Sequence, residues 1–243
     1  MKKLYVAGIG PGDARNMTAA CREAIEDCDV MVGYSKYVEL VAPLFPDKRT
    51  LDTPMTREVE RCRMALELAC RGETVAMICS GDAGVYGMAG LICELAAEYE
   101  PVEIEVVAGV TAALAGAAVL GAPLTHDFAV ISLSDLLTPW EVIERRLEHA
   151  AAADFCLALY NPSSRSRHDY LEKACAILRR HKPAQTVCGL VRNIGRAGQS
   201  DAILTLEELS QTSVDMFTTV FIGSSQTRII GGRMVTPRGY RLD

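Results

Sequence analysis

The chain has 243 residues, 49% of them hydrophobic and 23% charged, and a formal net charge of −6 at pH 7. That length accommodates one large or two small domains around a substantial core, and the acidic balance argues against a nucleic-acid partner held by bulk electrostatics. No apolar run approaches a membrane span, no signal-peptide core precedes the first strand, and the nine cysteines include no Cys-x-x-Cys pair, so we expect a cytoplasmic protein with reduced core cysteines, no membrane partner and no metal site.

Residues 4–7 read as a strand ending in Gly8-Ile9-Gly10-Pro11-Gly12-Asp13. A helix follows with Met17, Cys21, Ile25 and Cys28 on one face, then a short strand over residues 30–32 closed by a loop, Gly33-Tyr34-Ser35-Lys36-Tyr37. A loop rich in proline and charge leads to a helix near residues 56–71. The run Thr74-Val75-Ala76-Met77-Ile78-Cys79 has the apolar character of a buried strand. It feeds Ser80-Gly81-Asp82-Ala83-Gly84-Val85-Tyr86-Gly87 and a helix to about residue 99. Residues 104–107 form the next strand, followed by Ala108-Gly109-Val110-Thr111-Ala112-Ala113 and a slim apolar segment to Leu120 that we expect to be buried on all sides. Regular alternation of strand and helix predicts a mostly parallel sheet with helices on both faces.

The second half repeats the α/β pattern. Strands are expected at 128–133, 155–160, 186–191, 202–204 and 217–222. Helices are expected from a capping box at Thr138-Pro139-Trp140-Glu141, over residues 166–181, and from a second box at Thr205 to Glu208. The seam falls near Pro123, giving an N-terminal α/β domain over 1–123 and a C-terminal one over 124–243.

The candidate sites gather after strands, where open α/β sheets bind ligands. The loop at 80–87 reads either as a tight turn with a capping aspartate or as a ligand floor. The Gly8 loop departs from a dinucleotide fingerprint, since Asp13 stands where glycine is needed and a carboxylate there repels phosphate. No Gly-Lys-Ser/Thr follows, so a P-loop is excluded. Asp13 and Asp82 make this an acidic edge, suited to a ligand with hydroxyls and a positive centre. Tyr34, Lys36 and Tyr37 read as packing groups or as a stacking and charge-pairing set for a flat substrate with carboxylates. Arg165, Arg167, His168 and Arg192 read as a solvated face or as a patch for the same carboxylates. His126 is equally a turn residue or a site residue.

Taken together, Gly8 to Asp13, Ser80 to Gly87, Ala108 to Ala113 and Ala122-Pro123-Leu124-Thr125 resemble the tetrapyrrole methylases, over essentially the whole chain. Gly33 to Tyr37, Ile131 to Trp140, Tyr160-Asn161-Pro162-Ser163-Ser164 and Met234 to Tyr240 resemble, within that family, the enzymes that methylate carbon 17 of precorrin-3B or cobalt-factor III with ring contraction in cobalamin synthesis. The resemblance implies two α/β domains forming a homodimer, with S-adenosylmethionine in the cleft between the domains and a corrinoid tetrapyrrole as substrate. It implies that Pro11, Gly81, Asp82, Val85, Thr111, Ala112, Asn161, Arg192 and Asn193 bind the cofactor. Family members making the sirohaem precursor carry an aspartate, a proposed base, just after the second strand; Tyr34 stands there instead. Tyr34, Lys36 and His126 are therefore the acid/base candidates. The alternatives are a family member acting at another carbon, or a non-catalytic nucleotide-sensing module on the same fold.

Overall fold

The computed structural model describes residues 3–164 and 168–241 and divides into two compact units, Met1–Ala112 and Ala113–Asp243. The division falls one helix earlier than the expected seam at Pro123. The small-residue helix packs with the second unit.

The first unit runs β1 (Lys3–Gly8), α1 (Ala19–Asp27), β2 (Val30–Tyr34), α2 (Ser35–Val41), β3 (Arg49–Thr53), α3 (Glu58–Cys70), β4 (Thr74–Cys79), α4 (Ala89–Ala96) and β5 (Glu103–Val107). Its sheet has the order β3-β2-β4-β1-β5, every neighbouring pair parallel. Strand alternation sorts the side chains. Leu4, Val6, Val75 and Met77 face α3 and α4; Tyr5, Ala7, Ala76 and Ile78 face α1 and α2. The chain leaves β1 toward β2 and leaves β4 toward β5, in opposite directions and over opposite faces. The carboxyl ends of the adjacent strands β1 and β4 therefore form a topological switch point, where such sheets open a crevice.

Two expectations change here. The expected loop contains an edge strand, β3, whose sequence Arg-Thr-Leu-Asp-Thr carries no apolar run because only Thr53 at its end is buried. Residues 33–37 do not form a loop: Tyr34 ends β2 and stands at the cap position of α2, and Lys36 lies on that helix.

The second unit contains α5 (Ala112–Leu120, its first residue closing the first unit), β6 (Gly121–Ala122), β7 (Phe128–Ser132), α6 (Trp140–Ala152), β8 (Cys156–Tyr160), α7 (Tyr170–Leu178), β9 (Val187–Arg192), β10 (Ser200–Thr205), α8 (Leu206–Ser210), β11 (Thr218–Ile222), β12 (Arg228–Ile230) and β13 (Arg233–Val235). The main sheet has the order β10-β9-β11-β8-β7. Here β7 and β8 are parallel, and β11 runs antiparallel between β8 and β9. Leu157, Leu159, Val220 and Ile222 pack under α6, α7 and α8. On the other face α5 is slim because a Cβ on its Gly116 would stand 2.8 Å from the Phe221 ring. It is not buried all round: Leu114 and Ala118, one turn apart, are exposed.

The capping box at Thr205 forms as expected, with Thr205 Oγ1 accepting from the Glu208 amide and Glu208 accepting from the Thr205 amide. The one at Thr138 does not: α6 begins with Pro139 at its cap position and no side-chain cap bond. β6, β12 and β13 form a small three-stranded sheet that their two- and three-residue lengths hid from sequence patterning. Seven cysteines are buried, but Cys93 is exposed and Cys70 half-buried, against the expectation that both belong to the core.

Candidate functional site

At the switch point the loops after β1, β4 and β5 interlock through backbone. The Ile9 amide donates to the Cys79 carbonyl at 2.9 Å, and Gly10 and Gly81 exchange two bonds of 3.0 and 2.8 Å. Gly10 and Gly81 have φ of +76° and +69°, a backbone that favours glycine. Gly109 closes the set. A Cβ there would lie 2.1 Å from the Gly81 oxygen and 2.5 Å from the Gly8 oxygen, so only glycine allows three strand ends to touch.

Asp82 is the hub of this arrangement. Its Oδ1 accepts from the Gly84 and Val85 amides at 2.8 and 3.0 Å, and its Oδ2 accepts from the Gly109 amide at 2.9 Å. A phosphate needs just such converging amides. Here a carboxylate of the chain itself occupies them, which removes the phosphate-binding option and ties the β4 loop to the end of β5. Thr111 Cα and the Ala112 amide lie 3.6 and 3.8 Å from a Cβ built on Gly81. The structure therefore assembles Pro11, Gly81, Asp82, Val85, Thr111 and Ala112 at one edge of the first sheet.

Asp13 is turned to its own loop instead. It caps a short 3-10 turn through the Asn16 amide and binds Arg15. Desolvation raises its pKa, but the bonds from Asn16 and Arg15 outweigh this and hold the carboxyl below its usual range.

At the end of β2 the Tyr34 ring meets Tyr37 edge-on, with centroids 5.1 Å apart and planes at 89°. Strand β2 lies beside β4, so Tyr34 shares the edge that carries Gly81 and Asp82. Lys36 is exposed on α2 and paired with Glu39 at 2.8 Å, which raises its pKa.

In the second unit, β8 and β9 both run antiparallel to the strand between them, so their carboxyl ends share an edge. Asn161 and Asn193 follow those ends with φ of 54° and 52°, a left-handed backbone uncommon for residues with a Cβ. Asn161 Nδ2 donates to Ser132 Oγ at 2.8 Å, and the Asn193 amide donates to the Phe217 carbonyl at 3.1 Å. Arg192 is paired with Asp215 at 2.7 Å. Tyr160 Oη accepts the Ala113 amide at 2.6 Å, anchoring the start of α5. His126 is elsewhere. It lies in an exposed turn before β7, at the opposite end of the sheet from Asn161, because β7 runs parallel to β8. His168 is exposed, and Arg165 and Arg167 lie outside the described residues. No cluster of His, Cys, Asp and Glu suited to a metal is present among the described residues.

Residues 3–210 match the model of the Tetrapyrrole (Corrin/Porphyrin) Methylases. The chain belongs to this family. A tetrapyrrole methylase relative from Salmonella typhimurium, named probable cobalt-factor III C(17)-methyltransferase, is 47% identical over 98% of this chain and 100% of its own. Another from Sinorhizobium sp, named precorrin-3B C(17)-methyltransferase, is 43% identical over 98% of this chain and 96% of its own. Among solved structures, the methyltransferase CobJ superposes with a TM-score of 0.90 at 36% identity, over 97% of this chain and 99% of that one. A uroporphyrin-III C-methyl transferase from Thermus thermophilus, complexed with S-adenyl homocysteine, shares the fold with a TM-score of 0.72 at 22% identity, over 91% of this chain and 97% of that one. The two-unit α/β fold is thus that of a tetrapyrrole methylase, and the relatives' names make it a methyltransferase.

Sequence patterning overlooked Arg61 in this methylase. The residue is buried beneath Tyr34, with its guanidinium carbon 5.9 Å from the ring centroid. The signal was present: Arg61 falls in register with Ala65, Leu68 and Ala69, the buried stripe of α3, where a cation is out of place.

Proposed function

We propose that the protein transfers a methyl group from S-adenosylmethionine to carbon 17 of a tetrapyrrole of the cobalt-factor III or precorrin-3B type, with ring contraction. The observation that carries this reading is the glycine-locked edge pinned by Asp82, in a chain that aligns end to end with relatives named for that reaction. At this edge the converging amides are already taken by the Asp82 carboxylate. That fits a sulfonium nucleoside and not a triphosphate.

When bound, S-adenosylmethionine supplies an electrophilic methyl group. The protein's task is alignment in a dry site, and positioning of this kind contributes roughly 7–11 kcal/mol. Charge on the sulfonium is lost in the transition state, so a carboxylate pressed against it would oppose transfer. Asp82 meets this constraint by spending its oxygens on backbone amides. It holds Gly84, Val85 and Gly109 in place and is not a general base. Pro11, Thr111 and Ala112 flank the same cofactor. The roles of Asn161, Arg192 and Asn193 rest on the resemblance and on their common edge. Tyr34 is the group for proton movement in ring contraction. Lys36 is neutralised by Glu39 and His126 lies in an exposed turn, so neither is assigned.

Anaerobic incubation with S-adenosylmethionine and either cobalt-factor III or precorrin-3B tests the reading. The expected result is the gain of one methyl mass with the absorbance change of ring contraction, and the active tetrapyrrole identifies the substrate. Methyl gain without contraction would assign another carbon. The absence of S-adenosylmethionine binding by calorimetry would sink the enzyme reading.

A further inference from the structure

Arg61 is 4% exposed. Its Nε donates to Thr53 Oγ1 at 2.9 Å and its Nη2 to the Pro54 carbonyl at 3.1 Å. Both acceptors are neutral, and among the described residues no carboxylate pairs with the guanidinium. A guanidinium does not give up its charge at any ordinary pH, and a buried charge is costly unless something of opposite sign meets it.

The third nitrogen decides what that something is. Nη1 has no hydrogen bond among the described residues, yet no buried side-chain nitrogen or oxygen there lacks a partner. Nη1 is therefore the corner of the group that reaches the surface. The guanidinium lies at the carboxyl edge of the first sheet, held by Thr53 and Pro54 at the end of β3 and beside Tyr34 at the end of β2. Two of the cations that the sequence offers for carboxylate pairing are already compensated inside the protein, Lys36 by Glu39 and Arg192 by Asp215. Arg61 is not. Two neutral acceptors fix its fork from behind, and the Tyr34 ring covers it from the side.

We propose that Arg61 is a substrate-binding residue, its free Nη1 donating to a carboxylate side chain of the tetrapyrrole while Tyr34 lies against the macrocycle. This deepens the proposed function and rests on it. The pairing is charge-assisted and forms at a fixed, largely desolvated cation, so it discriminates the free acid from a neutral ester.

The test uses the whole protein and two probes, uroporphyrin and its methyl ester, with binding followed by absorbance and S-adenosylhomocysteine binding followed by calorimetry. The wild type is expected to bind the acid at least about ten-fold more tightly than the ester. Arg61→Gln is expected to lose that preference, and Arg61→Lys to retain part of it. Affinity for S-adenosylhomocysteine stays within about two-fold in both variants, a readout that a general loosening of the fold would move. Arg61→Gln binding the acid as tightly as the wild type overturns the assignment. A wild type that binds neither probe refutes the tetrapyrrole reading and takes the Arg61 assignment with it. Should Arg61→Gln fail to fold, competition by citrate decides: citrate must displace uroporphyrin from the wild type and do so less effectively from Arg61→Lys, and equal competition overturns the proposal.

Discussion

Replacing Asp82 by asparagine keeps the side chain's shape and removes its charge. The carboxylate accepts three backbone amides, at 2.8, 3.0 and 2.9 Å. A bond to a charged acceptor contributes about 1.5–3 kcal/mol and a neutral one about 0.5–1.5 kcal/mol. Asparagine offers one oxygen and one NH2 group. In its better orientation the oxygen keeps Gly84 and Val85 as two weakened bonds, while the NH2 faces the Gly109 amide, donor against donor. One bond is lost, two are weakened and one amide is stranded. Discounted for the partial exposure of this loop, the cost is about 2–3 kcal/mol. A loss of that size, felt in the loop proposed to hold the cofactor, raises the dissociation constant for S-adenosylhomocysteine roughly 30- to 150-fold. If it is felt globally, it lowers Tm by roughly 4–12 °C. Calorimetric titration and a thermal melt of Asp82→Asn read both. Wild-type affinity together with wild-type melting would refute the loop-pinning argument. Full affinity with abolished turnover would instead make Asp82 an acid–base group.

Gly109→Ala places a Cβ 2.1 Å from one backbone oxygen and 2.5 Å from another, and backbone cannot yield as a side chain does. It is expected to cost more than about 3 kcal/mol and to abolish S-adenosylhomocysteine binding. Gly90→Ala, on α4 with nothing within 4 Å, is expected to raise stability by up to about 1 kcal/mol in the same melts. Asp154 receives the Ser225 amide and hydroxyl and the buried Lys182 ammonium; desolvation raises its pKa, and those partners bring it below its usual 3.8. The folded carboxyl then holds fewer protons than the unfolded one, so its contribution is complete above the unfolded value and is lost as pH falls below about 3.8 through the folded pKa. Asp154→Asn is therefore expected to flatten the acid limb of a stability-versus-pH curve and to leave its slope near pH 7 unchanged. Burial pushes the Cys21, Cys62 and Cys175 thiols up to about 12, while Cys93 is exposed. A thiol reagent on the native protein is expected to show one fast phase, which Cys93→Ser removes, and a slower one from the half-buried Cys70; a fast phase that persists in Cys93→Ser would contradict the burial pattern.

The sequence by itself determined the fold class and the glycine-rich edge proposed to hold the cofactor. Apolar runs such as Val75 to Cys79 specify buried parallel strands, and glycines at 8, 10, 81 and 109 specify where strand ends touch, because both are local statements about side-chain size and period. The capping box at Thr205 was legible for the same reason. The one at Thr138 was not, since the motif gives a preference and packing sets where the helix begins.

Only the tertiary structure decided which polar groups are free to act. Lys36, Arg192 and Asp13 looked available in the sequence, and each is held by a neighbour: Glu39 in the next turn, Asp215 well along the chain, Asn16 and Arg15 close by. His126 is an acid/base candidate in the sequence, and the parallel pairing of β7 with β8 puts it at the opposite end of the sheet from Asn161. Asp82 was legible as important, but whether it met a ligand or its own backbone depended on Gly109, which is far along the chain and adjacent in space. Arg61 was hidden by the opposite effect. Its place in an apolar stripe reads as an exception in a helix, and it gains meaning only when the end of β3 and the proline after it supply two neutral acceptors and no counter-charge. Size and periodicity are carried by each segment, whereas charge compensation is a property of pairs that only folding brings together.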